Sequence, residues 1–254
     1  MELALDGRVA LVTGAAKLHG NGRAIALMLA EEGADIACAD IDIEGARSVA
    51  EEIRAMGRRS VALEVDQGDS RQVIEAVTRC REELGLVDIL VNNAAILGHH
   101  DLASRMDVHT WDKDLAVNLS GPYYWVRGVF DSMAEKKWGR IISISSVAGL
   151  LGGFGQSCYS ASKGGLISLM KTIALEGARV GITANTVTLG VIETGAVAGV
   201  RPEHRERILK RIAVREFGHP QDVANIVAFL ASDRAKYITG ANIVVDGGLQ
   251  LFTF

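Results

Sequence analysis

Short apolar, β-rich runs alternate with longer amphipathic ones along almost the whole chain, and this alternation constrains the fold more than any other feature. Strands are expected at Arg8–Thr13, Asp35–Ala39, Ser60–Val65, Val87–Val91, Arg140–Ser145, Ile182–Val187 and Asn242–Val245. Helices are expected at Asn21–Gly33, Glu44–Gly57, Arg71–Leu84, about Val108–Lys137, Tyr159–Ala178 and Pro220–Ala231. Strands alternating with helices predict a parallel sheet covered on both faces by right-handed crossovers. Runs such as VALV, DILVN and IISIS are continuously apolar, as befits strands buried on both faces. The fold class is therefore α/β: a seven-stranded parallel sheet, doubly wound. A single domain over 1–254 is expected, because no composition break, repeat or linker divides the chain. The segment 190–217 interrupts the alternation with an irregular start and a basic helix, RPEHRERILKRIA, and is read as a substrate lid.

Composition narrows the function. With 254 residues, 48% of them apolar and 23% charged, the chain can bury a large core. A net charge of −4 argues against nucleic acid or an anionic membrane as the main partner. Three cysteines (Cys38, Cys80, Cys158) are too few and too scattered for a disulfide framework or a zinc site. The start, MELALDGR, lacks the regions of a signal peptide, and no apolar run approaches 18 residues, so a cytoplasmic location is expected.

Between the first expected strand and helix lies TGAAKLHGNG, residues 13–22. Parallel-sheet proteins bind nucleotides there, with the pyrophosphate on a helix N-terminus whose N–H groups are free. Glycine lets the backbone approach closely and take positive φ. Five residues separate Gly14 from Gly20, more than in the usual fingerprint, while Gly20 and Gly22 keep the spacing that a helix start needs. The extra length, assigned to Leu18–His19, can bulge outward. Asp40 ends the second expected strand, 18 residues past Gly22, where a carboxylate can bond both adenosine ribose hydroxyls. It would repel a 2′-phosphate, so the cofactor predicted is NAD. Lys17 pulls mildly toward a phosphate, but Asp40 acts on the atom that distinguishes the two cofactors.

Farther on, Tyr159 and Lys163 are four apart in YSASK, so on a helix they share one face. An ammonium beside a phenol, with a cationic nicotinamide nearby, lowers the phenol's pKa, and Tyr159 then serves as general acid or base. Ser146, 13 residues earlier at a strand end, is placed to bond the same substrate oxygen.

Together these residues resemble the short-chain dehydrogenase/reductase family over nearly the whole chain, which implies a Rossmann fold. Asn92-Asn93-Ala94-Ala95 stands for the family's NNAG, Asn118 in VNLSG matches its catalytic asparagine, and Asp66 matches the residue that contacts adenine. The resemblance implies catalytic residues Asn118, Ser146, Tyr159 and Lys163, with Lys163 on the nicotinamide ribose and Asn118 anchoring a water. The cofactor site implied and read together comprises Gly14, Lys17, Gly20, Asn21, Gly22, Asp40, Asp66, Asn92, Tyr159, Lys163, Ile192 and Thr194. Ile192 and Thr194 would hold the carboxamide. The partner expected is a small-molecule alcohol or ketone, and the resemblance implies a homotetramer built through helices 108–137 and 159–178, with the apolar tail LQLFTF buried between subunits.

Three features depart from the family pattern. The long first loop resembles that of bacterial enoyl-acyl-carrier-protein reductases, but those space the catalytic Tyr and Lys more widely. Asn21 stands where an apolar residue is usual. Leu189 replaces a proline before the lid, and a looser hinge is expected there. Elsewhere His99-His100 is read as a solvated loop rather than a metal site, and Cys158 as a small packing residue. A surplus of basic residues on the lid (Arg201, Arg205, Arg207, Lys210, Arg211, Arg215) would suit an acidic or CoA-linked substrate, or only a solvated face. The leading expectation is an NAD-dependent enzyme interconverting a secondary alcohol and a ketone. Its alternatives are an NADPH-dependent 3-oxoacyl thioester reductase and a silent cofactor-binding subunit.

Overall fold

The computed structural model describes residues 3–195, 199 and 201–251. Seven strands form one sheet: β1 (Val9–Thr13), β2 (Asp35–Asp40), β3 (Ser60–Glu64), β4 (Ile89–Asn92), β5 (Gly139–Ser146), β6 (Ile182–Leu189) and β7 (Asn242–Val245). Their order is β3-β2-β1-β4-β5-β6-β7, and every pairing is parallel. The order reverses between β1 and β4, which opens a crevice at the carboxyl ends of those strands. The α/β, doubly wound Rossmann architecture expected from the alternation is the one observed.

Side-chain alternation along the strands splits the core in two. Ala10 and Val12 of β1 join Ile36, Val91, Ile142 and Val187 on one face, under helices α1 (Asn21–Glu31), α2 (Ile43–Ala55) and α9 (Pro220–Ala231). Leu11, Ala37, Leu63 and Ile141 line the other, under α3 (Ser70–Glu83), α5 (Gly121–Lys136) and α7 (Ser157–Gly177). Trp125 of α5 is fully buried there, its indole N–H donating to Gln67 Oε1. Trp111, by contrast, is only half-buried.

Two expectations about the chain's course are corrected. The single helix expected at 108–137 is broken into α4 (Val108–Leu115), a π-helical turn at Ala116–Ser120, and α5. Such a turn shifts the ladder by one residue, and here it carries Asn118. A short α6 (Ala148–Leu151) also follows β5. The hinge before the lid is not loose: Leu189 is buried within β6, in register with Ser146 and Val245, and its carbonyl accepts from Val147 N–H at 2.9 Å. Gly190 then turns against β7, where a Cβ would meet Asp246 Cα at 2.7 Å. A helix, α8 (Pro202–Leu209), is present in the segment read as a lid, and the segment's far end is pinned by Val214 N–H to the Gly247 carbonyl. Residues 196–198 and 200 of the lid, and 252–254 of the LQLFTF tail, lie outside the described residues. No helix among the described residues is long and apolar enough to cross a membrane.

Candidate active site

The glycine loop is held by atoms that leave no space for side chains. Gly14 has φ +68°, and a Cβ on it would meet Ala94 Cα at 2.7 Å; one on Gly22 would meet the Gly14 carbonyl oxygen at 2.1 Å. Asn93 straps the loop from β4, its amide donating to the carbonyls of Thr13 (2.9 Å) and Gly14 (3.1 Å). Thr13 Oγ1 in turn accepts from the N–H groups of Asn93 and Ala94, both at 3.0 Å. The exposed Leu18 marks the outward bulge of the extra residues. Gly20 N–H closes that turn onto the Lys17 carbonyl, while the Lys17 side chain lies exposed.

Helices α2, α3 and α4 start with Asp42, Asp69 and Asp107, each of whose carboxylates accepts from a first-turn N–H. Helix α1 starts with Gly20 and has no side-chain cap. Its free N–H groups and positive dipole end face the crevice, as an anionic pyrophosphate requires. Asp40 ends β2 and points back at this loop: one oxygen accepts from Ala16 N–H at 2.9 Å, the other from Asp42 N–H at 3.1 Å. Asp66, after β3, accepts from Gly68 N–H at 2.9 Å. A cradle that only glycine fits, an uncapped helix end and a carboxylate at the ribose position together fit a dinucleotide.

Asn92 does not join them. It sits in the sheet interior, its amide donating to Ser143 Oγ at 3.1 Å and its Oδ1 buried without a partner. Successive strand residues face opposite ways, so it is Asn93 that reaches the loop. Asn21 is half-buried at the start of α1, its Oδ1 likewise unpartnered. Ile192 is buried in a bridge to Gly218, and Thr194 N–H turns back onto the Ile192 carbonyl at 2.8 Å, at the mouth of the lid.

Tyr159 and Lys163 lie one turn apart on α7, with the ammonium 5.9 Å from the phenol ring centroid. Lys163 is buried and donates to the Ile144 carbonyl at 2.8 Å. Burial away from water brings its pKa down to about 8. Burial acts on the Tyr159 phenol in the opposite direction and raises it, with the Ser146 hydroxyl drawing it partway back. The lowering of Tyr159 by Lys163 expected from sequence is therefore not seen in the protein alone. Asn118 is fully buried, and both ends of its amide engage the Ile96 backbone, accepting at 2.7 Å and donating at 3.1 Å. It fixes the loop after β4.

That loop is largely exposed, as expected of a solvated loop, but its two histidines have partners. His99 Nδ1 lies 2.9 Å from Asp114 Oδ1, and His100 Nε2 lies 2.8 Å from the Gln156 amide. Cys158 does more than pack: its thiol donates to Asp114 Oδ2 at 2.9 Å. Gln67, Thr13, Asn93 and Asp114 are the structural residues that sequence reasoning missed. No group of three or more His, Cys, Asp or Glu among the described residues is arranged to hold a metal ion.

A glycine cradle beside the reversal of strand order, and a tyrosine with a serine and a lysine beside it, make this a candidate site of the nicotinamide-binding, doubly wound oxidoreductase class. A family model described as enoyl-(acyl carrier protein) reductase matches residues 14–250. The 3-oxoacyl-[acyl-carrier-protein] reductase of Escherichia coli (strain K12) is 40% identical over 246 residues, covering 97% of this chain and 98% of that protein. The enzyme of that name from Thermotoga maritima is 38% identical over 247 residues, covering 97% and 99%. Among solved structures, a putative gluconate dehydrogenase from Agrobacterium tumefaciens matches with a TM-score of 0.94 and 30% identity over 100% of both chains. A putative short-chain alcohol dehydrogenase from Sinorhizobium meliloti 1021 matches at 0.93 and 35%, over 98% of each. The chain belongs to the short-chain dehydrogenase/reductase family.

Proposed function

We propose that this chain interconverts a 3-oxoacyl thioester and the corresponding 3-hydroxyacyl thioester, with Tyr159 exchanging the proton at the C3 oxygen. The observation that supports the reaction type is the Tyr159 phenol hydrogen-bonded to the Ser146 side chain, with the Lys163 ammonium 5.9 Å from its ring centroid. Similarity over nearly the full length to proteins named 3-oxoacyl-[acyl-carrier-protein] reductase favours the thioester. That reverses the order in which the sequence alone ranks the substrates, where a simple secondary alcohol comes first.

A nicotinamide bound in the cradle would supply the hydride chemistry at the substrate carbon. In the reducing direction the Tyr159 hydroxyl donates its proton to the oxygen, and its raised pKa keeps that proton in place until then. Ser146 holds the same oxygen. The Lys163 ammonium, one turn along, stabilises the phenolate left behind and would hold the cofactor's ribose. Asp40 supports NAD(H) as the cofactor, because a 2′-phosphate would bring two anions together beside Ala16 N–H.

A second reading, NAD-dependent oxidation of a free secondary alcohol, draws support from Asp40 and from the two solved dehydrogenases named above. A homotetramer is proposed for the assembly. The exposed Tyr123 of α5 and Leu175 of α7 suit pairing of those helices between copies. Elution at a monomer's mass in gel filtration would end that idea.

The test follows reduced-nicotinamide absorbance with acetoacetyl-CoA, NADH or NADPH, and with a panel of secondary alcohols and NAD or NADP. Turnover of acetoacetyl-CoA that Tyr159→Phe abolishes supports the first reading. Turnover of free alcohols alone supports the second. Tight NADH binding with no turnover in any arm would leave a silent cofactor-binding subunit.

A further inference from the structure

Asp114 is a carboxylate buried on α4, with its side chain only 2% exposed. A buried carboxylate persists where its oxygens are hydrogen-bonded, and here each has one donor. His99 Nδ1 engages Oδ1 from the loop after β4, and the Cys158 thiol engages Oδ2 from the first turn of α7. Burial and the adjacent carboxylate both push the Cys158 thiol up, so it keeps its proton and acts as donor. The next residue on α7 is Tyr159. The same loop is stitched to the site at other points: Ile96 to Asn118, Asp101 N–H to the Gly155 carbonyl at 2.9 Å, and His100 to Gln156.

We propose that Asp114 is a positioning residue that couples two parts of the site, setting the first turn of the catalytic helix through Cys158 and the substrate-side loop through His99. The proposal rests on Tyr159 being the acid–base group. Its two arms carry different signatures. Losing the Cys158 arm displaces Tyr159 and lowers kcat; losing the His99 arm frees the loop and raises KM. Misplacing a reacting group by a fraction of an ångström accounts for roughly tenfold in kcat.

The experiment compares Cys158→Ala, Cys158→Ser, His99→Ala and Asp114→Asn in the full chain, using acetoacetyl-CoA or whichever substrate the wild type turns over. Melting temperature and NADH binding by fluorescence are measured beside kcat and KM. Cys158→Ala is expected to lower kcat about tenfold with KM little changed, and Cys158→Ser, which keeps a donor, to recover most of that loss. His99→Ala is expected to raise KM several-fold at nearly constant kcat. NADH affinity should not move in any of them, because the cluster lies on the substrate side. Equal losses of kcat and stability in both alanine variants, with no separation of kcat from KM and no recovery by serine, would overturn the proposal. Undiminished turnover in Tyr159→Phe would instead overturn the reaction on which it rests.

Discussion

Gly22 packs so closely against the Gly14 carbonyl that a methyl group has no room, whereas Gly98, in the loop after β4, has nothing within 4 Å of the place a Cβ would take. The contrast holds for the two halves of the site. On the cofactor side the contacts end on backbone groups: glycine against glycine, the Asn93 amide onto two carbonyls, the Asp40 carboxylate onto the Ala16 N–H. On the substrate side, loops 96–101 and 150–156 meet through one backbone bond, Asp101 N–H to the Gly155 carbonyl, and the His100–Gln156 side-chain pair, and they present Leu97, Leu151 and Phe154 to solvent. Contacts that end on fixed, close-packed backbone hold one ligand shape, whereas exposed loop side chains can be exchanged without disturbing that frame.

The catalytic wall between the halves should give the largest effect. Tyr159→Phe removes the proton that the substrate oxygen needs, and kcat should fall about a thousandfold, within the usual span for general acid–base groups. NADH binding, measured by fluorescence, should survive. Parallel loss of both would mean that Tyr159 holds the site together rather than doing chemistry.

The halves themselves are compared by one substitution made twice. Gly22→Ala puts a Cβ at 2.1 Å from a backbone oxygen, which cannot swing aside. We expect a cost of about 3 kcal/mol or more in stability or in NADH affinity. Gly98→Ala meets no atom and carries only the strain of φ +99°, about 1–2 kcal/mol, with NADH affinity unchanged. Equal NADH affinities in the two variants would erase the distinction drawn between the halves.

Asp40 sharpens the cofactor side further. Asp40→Ser removes a charged acceptor from the ribose position, and a hydrogen bond to a charged group contributes roughly 1.5–3 kcal/mol. The ratio of kcat/KM for NADH over NADPH should therefore fall by about ten- to a hundredfold. An unchanged ratio would move the specificity away from Asp40, with Lys17 the next residue to test.

Lys163 adds a pH dependence with a definite sign. With a pKa of about 8 in the folded protein, its ammonium is lost as pH rises through that value, and turnover that needs the cation should fall with it. Stability moves the other way. Between about 8 and the ordinary lysine value near ~10.4, the unfolded chain holds a proton that the native chain does not, so stability rises with pH. Urea melts on either side of this window should show the rise in the wild type and not in Lys163→Met.

The sequence yields the cofactor side more readily than the rest, and the reason is range. Gly14, Gly20, Gly22 and Asp40 declare themselves because strand ends and helix starts are local features. Ser146, Tyr159 and Lys163 do so because a helix places residues four apart on one face. Thr13 and Asn93, whose side-chain bonds join positions about 80 apart, leave no local trace. The motif points to Asn92 where the structure uses Asn93, because a motif does not say which of two successive residues faces the loop. The π turn at Ala116–Ser120 keeps its apolar pattern running through, so it looks like unbroken helix. The bond from His99 to Asp114 leaves no local trace either, because Asp114 comes from a helix 15 residues on.

The lid is the remaining test of the substrate side, and its effect should be the smallest. Its basic surplus is partly consumed within the fold. Arg205 pairs with Glu193 at 2.6 Å and lies over the Phe217 ring, and Lys210 pairs with Glu206 at 2.6 Å. Arg201, Arg207 and Arg211 are exposed, and surface charges are screened over about 8 Å at physiological ionic strength. If they guide an acidic, CoA-linked substrate, KM for acetoacetyl-CoA should rise about two- to threefold between low and physiological salt. KM for an uncharged secondary alcohol should stay where it is. A flat response for both would reduce these arginines to a solvated helix face, and recognition of the thioester would fall to the loops around Tyr159.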